Sequence, residues 1–163
     1  LKTFLILLIT FFIQTAQCLP TINVVNNSER EQETKTNLEN LLSKYDLKKF
    51  EFTNLIQIEE SVISHSHPIL TLNTRYKNEP NRLLATYIHE QIHWFLEIER
   101  NKIKLENFII DAKIKYPEIP THFQNGGARS EYSNYLHLAV CTLELEALIN
   151  LLGKDVAFKI FET

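Results

Sequence analysis

Tyr87 to Phe95 reads YIHEQIHWF and sets His89 and His93 four residues apart, with Glu90 directly after the first histidine. Four residues are about one helical turn, so on a helix both imidazoles leave one face and can converge on a single ion. Neutral imidazole nitrogens suit zinc, and a carboxylate on the adjoining edge can take a proton from water at the ion's open position. The spacing predicts a metal site on His89 and His93, with Glu90 as general base. The same residues also fit an ordinary polar helix stripe, so the helix around them has to separate the two readings.

At 100° per residue, His89 and His93 lie about 40° apart. Leu83, Leu84, Tyr87, Ile88, Ile92 and Phe95 belong to a broad apolar arc, while Arg82, Thr86, His89, Glu90, His93 and Glu97 form the rest. An apolar arc that wide belongs to a helix packed on most sides, so its polar stripe is expected to line a cleft.

This helix resembles the one that carries the HExxH motif of the zincin metallopeptidases, here written HEQIH. The resemblance covers about one helix and implies zinc bound by His89 and His93, Glu90 as the base, and a neighbouring strand along the substrate cleft, for which PILTLNT is the candidate. Leu96 and Glu99 stand where the metzincin branch continues with glycine and a third histidine, so the chain is no metzincin. In the glutamate-type branches a glutamate follows a short loop and helix further on, where this chain offers only Asp111.

A third ligand is better sought in YSNYLHLAVCTLELEAL. On a helix, His137, Cys141 and Glu144 share a face, and Glu146 points away. Glu144 stands between Leu143 and Leu145, where an unpaired carboxylate is expensive, so it needs a partner. His137 and Glu144 are about 10.5 Å apart along the axis, too far for both to reach one ion directly. His137 is therefore expected as third ligand, with Glu144 accepting the outer N–H of a ligand histidine. The reverse, with Glu144 on the metal, stays open, as do Asp111 and His122. His65 and His67, before Pro68, are expected to face solvent. Tyr132, Tyr135, Arg129 and His122 are candidates to steady an oxyanion.

The 163 residues are 44% apolar and 23% charged, which fits one globular domain, and a net charge of −3 supplies no basic field for nucleic acid. LKTFLILLITFFIQTAQC has the lysine and apolar core of a signal peptide cut after Cys18, leaving residues 19–163 as the mature domain. Secretion or a periplasmic location follows, with lipidation of Cys18 as a variant and no stable membrane span expected after cleavage. Cys141 would then be the one remaining cysteine, a small hydrophobe and not half of a disulfide.

Helical spacing is expected over about 28–45, from about Pro80 to Asn101, in a short helix before Pro117, and from about Ser130 to a stop at Gly153. Strands are expected through the Phe50, Phe52, Ile56, Ile58 alternation and near 69–75, and the final segment as a short helix or strand. The class is α+β, a small sheet with the HEQIH helix packed against further helices. The expected activity is exported zinc-dependent hydrolysis of a peptide or protein. The alternative is a non-catalytic binding domain on the same scaffold.

Overall fold

Ser28 starts the first helix, and its surroundings show how the sheet and helices are joined. In the computed structural model, which describes residues 20–119, 128 and 130–162, the Ser28 hydroxyl accepts the Glu31 N–H at 3.2 Å and the Glu31 carboxylate accepts the Ser28 N–H, closing a capping box. The same buried carboxylate also accepts the Asn26 and Glu60 N–H groups at 2.8 and 3.0 Å. Burial pushes its pKa up, but these hydrogen bonds outweigh burial and hold it below the usual carboxylate range. The signal-like leader with Cys18, and His122 and Arg129, lie outside the described residues.

The elements run β1 (Thr21–Val24), α1 (Glu29–Lys44), β2 (Leu55–Ile58), β3 (Leu70–Leu72), α2 (Pro80–Glu97), α3 (Glu99–Lys115), α4 (Glu131–Leu152) and α5 (Lys154–Phe161). The strands form a parallel sheet in the order β1-β2-β3, with Ile22 beside Ile56 and Ile58 beside Leu72. Ile56, Ile58, Leu70 and Leu72 are fully buried, and α1 and α2 cover the sheet. The fold is α+β, with the three strands and α1 in the first half of the chain and α2 to α5 stacked after them.

Three local expectations need correction, and one strand was not expected at all. β1 has no counterpart in the sequence reading. The strand predicted from Phe50 begins only at Leu55, because Lys48–Phe50 forms a single 3₁₀ turn and the Phe52 and Thr53 N–H groups go to a helix side chain. The helix predicted to reach Asn101 stops at Ile98 without glycine or proline. The buried Asn101 amide donates to the Phe95 carbonyl at 2.7 Å, satisfying an end carbonyl of α2 while α3 sets off in a new direction. The helix before Pro117 is accordingly not short; it runs from Glu99 to Lys115.

α4 starts on a serine cap, Ser130, and ends at Gly153, whose φ of 84° favours glycine over any residue with a Cβ. It packs on α2, α3 and α5, so apolar residues occur around most of its circumference. Among the described helices α4 alone is long and apolar enough to cross a membrane, a test that a central core helix passes as well.

Gln91, inside HEQIH, shows how firmly α2 is set. Its oxygen accepts the Phe52 and Thr53 N–H groups at 2.7 and 2.9 Å, and its nitrogen donates to the Thr53 carbonyl and the Tyr87 hydroxyl at 2.8 and 3.0 Å. The side chain is fully buried with every polar valence used. Gln91→Leu strands two backbone donors and a carbonyl, and an unfolding free energy lower by about 3 kcal/mol is expected in a denaturant titration. Wild-type stability would show these hydrogen bonds to be dispensable.

Candidate metal centre

α2 presents His89 and His93 one turn apart, and α4 crosses beside it carrying His137. One ring nitrogen from each of the three histidines lies within 4.8 Å of the others. Ring centroids are 5.1 Å apart for His89 and His93, 5.2 Å for His93 and His137, and 5.7 Å for His89 and His137. Three imidazoles on a tetrahedral ion, with bonds of about 2 Å, would have centroids roughly 5.2 Å apart. The three rings already hold close to that triangle.

The outer nitrogens explain which edges face inward. His89 Nδ1 lies 2.8 Å from a Glu144 carboxylate oxygen, and His137 Nδ1 lies 2.7 Å from the Ser133 carbonyl one turn back on α4. Each is donor to its acceptor, which leaves Nε2 with its lone pair for an ion. Burial opposes charge on His89, yet the Glu144 hydrogen bond and charge raise its pKa overall. Burial, followed by the charges of His89, His137 and His67, pushes His93 down to about 4, so it is neutral at ordinary pH as a ligand must be.

His89, Cys141 and Glu144 form a second set of mutually close donors. The 2.8 Å between His89 Nδ1 and Glu144 is a hydrogen-bond distance, whereas two such atoms on one tetrahedral ion stand roughly 3.3 Å apart. Burial and the Glu144 charge also push the free Cys141 thiol up to about 11, away from the thiolate that binds metal. The described residues thus contain a group able to hold a metal ion, and the three-histidine set fits one better.

Glu90 adjoins this triangle and opens into a cleft of about 380 Å³ that His89 and Glu144 also line. It is 7% exposed, and its pKa is raised to about 7 by burial first and by Glu144 last, against the lowering effect of His89 and His65. Among the described residues none hydrogen-bonds its carboxylate. A buried acid with no other partner, facing a cleft and titrating near neutrality, is suited to proton transfer.

The strand expected along the cleft is differently placed. Both backbone groups of Thr71, in the middle of β3, are taken by His65 at 2.9 and 2.8 Å, so that edge is already paired. Ile63 and Ser64 line the cleft, with Asn73 from the end of the PILTLNT segment and Arg75 and Tyr76 beyond it. His65 and His67 do not simply face solvent. The His67 ring stacks on Trp94 at 4.1 Å, and its Nε2 lies 2.9 Å from a Glu97 carboxylate oxygen, close enough for an ion pair though off the line of a hydrogen bond. Trp94 donates to the Ser66 carbonyl at 2.8 Å. These contacts fasten the β2–β3 connection beside the polar stripe of α2, and no local pattern in the sequence announces them.

The remaining candidates separate cleanly. Tyr135 is buried and donates to the Tyr116 carbonyl at 3.0 Å, so its hydroxyl is used. Tyr132 is half exposed and borders a second recess next to His93. Asp111 is exposed on α3 and joins neither donor set. Compared with known proteins, the chain matches no family model, no curated protein and no solved structure.

Proposed function

We propose that this chain is an exported, zinc-dependent hydrolase of the zincin type that cleaves peptide bonds. His89, His93 and His137 are the zinc ligands, Glu90 is the general base, and Glu144 is the positioning residue that orients His89. The observation that carries the reading is the convergence of three imidazoles from two helices, with a buried, cleft-facing carboxylate beside them. Three protein ligands leave a tetrahedral ion one position for water or substrate, as catalysis requires.

Bound there, zinc supplies a Lewis acid for the scissile carbonyl and lowers the pKa of water toward neutrality. Glu90 takes a proton from the attacking water and delivers it to the leaving amine. Its burial serves both halves of that task, because a carboxylate of raised pKa is a stronger base and holds the proton until the amine needs it. Glu144 accepts the His89 Nδ1 proton and fixes both the tautomer and the ring angle. Trp94 and His67 anchor the β2–β3 connection whose Ile63 and Ser64 line the cleft.

The test is metal content per chain, by mass spectrometry of the native protein after zinc reconstitution and removal of loose metal. About one zinc per chain is expected, lost in His89→Ala. A wild-type protein that stays metal-free would sink the proposal and leave HEQIH as a polar stripe on a buried helix.

A further inference from the structure

α3 turns Asn101, Leu105, Ile109 and Ala112 into the protein, and on its other side it exposes three isoleucines. Ile103, Ile110 and Ile114 are 65, 57 and 77% exposed. At 100° per residue they fall within about 40° of one another, roughly opposite the buried stripe, in a line about 16 Å long. β-branched side chains suit a helix less well than Lys or Glu, and three apolar ones in a row gain nothing from water, so this is the pattern of a covered face. Steps of seven and then four residues keep such a line on one continuous seam.

The charges beside the seam decide what fits it. Lys104 and Asp111 are exposed and stand on the same flank, about 20° apart around the axis. Among the described residues, the ion pairs made by α3 are Lys102 with Glu99 and Lys113 with Glu131, and neither uses Lys104 or Asp111. Suppose a second α3 lies antiparallel across a twofold axis, with Ile103 against Ile114 of the other copy. Lys104 then comes within about 3 Å of axial rise of Asp111 of the other copy, and symmetry forms the reverse pair. A parallel pairing does not bring these flanks together. An anionic lipid surface fits the face less well, because Glu99, Glu106 and Asp111 also border the seam.

We propose that the outer face of α3 docks on α3 of a second copy of this chain, in an antiparallel twofold contact with the isoleucines in the seam and Lys104 opposite Asp111 on its flank. The face is self-complementary, so both copies use one patch and the contact closes on itself. Three isoleucines over three turns make a small interface, and the dimer is accordingly a weak one. Among the described residues none from α3 lines the Glu90 cleft, so the contact leaves that cleft open and the inference stands apart from the metal reading.

Sedimentation equilibrium of the purified protein tests it. Wild type should be monomeric at roughly 1 μM and largely dimeric at about 100 μM. Ile110→Lys puts a charge into the seam at an exposed position, where folding is not at stake, and should stay monomeric throughout. Lys104→Glu and Asp111→Lys should each weaken the dimer about tenfold, since either one sets like charges against each other twice. An equimolar mixture of these two variants should recover the wild-type strength, because only the mixed pair opposes unlike charges at both ends. That recovery is specific to the antiparallel register. A wild-type chain still monomeric at about 500 μM would overturn the proposal. So would a dimer indifferent to Ile110→Lys, or a mixture as weak as either charge variant alone. Cosedimentation of monomeric wild type with phosphatidylcholine vesicles containing phosphatidylglycerol, lost in Ile110→Lys, would assign the face to a lipid surface and overturn it as well.

Discussion

Glu90→Gln should keep its zinc, lose roughly a thousandfold in peptide hydrolysis, and unfold less readily than wild type once the metal is removed. The first two outcomes follow from position: Glu90 adjoins the proposed ligand histidines without belonging to the converging set, and glutamine has nearly the same shape but cannot take the proton. The third follows from its titration. Burial raises the folded-state pKa to about 7, so between the ordinary carboxylate range and that value the folded chain binds a proton the unfolded chain has released. Stability of the metal-free protein must then fall as pH rises through that window, by up to about 3 kcal/mol for this group. Gln has no charge to bury, so the variant escapes the loss. Thermal unfolding of chelator-treated protein at pH 4 and pH 8 would show it: equal stabilities at the low pH and a more stable variant at the high pH. Retained hydrolysis would remove the proposed base. A variant no more stable at pH 8 would mean that Glu90 carries its charge without penalty.

The second large effect separates His137 from Glu144. His137→Ala removes one of the three proposed ligands, and zinc affinity should fall by roughly a thousandfold, whereas Glu144→Ala removes only the acceptor on His89 Nδ1 and should cost about 10- to 100-fold. Competition with a chromophoric chelator measures both. The opposite order would place Glu144 on the metal and His137 outside it. Glu144→Gln should recover much of the Glu144→Ala loss, because its amide oxygen still accepts the His89 N–H. Failure of that rescue would indicate that the carboxylate charge, and not the hydrogen bond, is what His89 needs.

What could be read in the sequence divides according to whether the cause is local. His89, Glu90 and His93 share a stripe because helical phase alone puts them there. His137 and Glu144 could be paired across α4 for the same reason, with Leu143 and Leu145 marking Glu144 as a carboxylate in need of a partner. That the partner is His89, and not another ligand, is visible only once α2 and α4 are packed. The break between α2 and α3 was hidden because its cause is the amide of Asn101, a residue that ordinarily continues a helix without comment. β1 is four residues long, with no alternation strong enough to separate it from the apolar stretch before it. The parallel arrangement was equally hidden: a connection as short as 59–69 ordinarily suggests a hairpin, and it avoids one here by wrapping beside α2 under Trp94 and His67.

The bond between His89 and Glu144 joins groups 55 residues apart along the chain. During synthesis the HEQIH helix emerges well before α4, and until α4 follows it has two histidines and no third, so it can hold metal only weakly. If the proposed centre binds metal, tight capture becomes available only when the two helices dock, which would place metal uptake after the synthesis of α4. A product truncated within the 116–130 region would keep the whole sheet and the HEQIH helix and still lack the centre. Its bare polar stripe and the uncovered apolar face of α2 are the kind of surface that chaperones and quality-control proteases recognise.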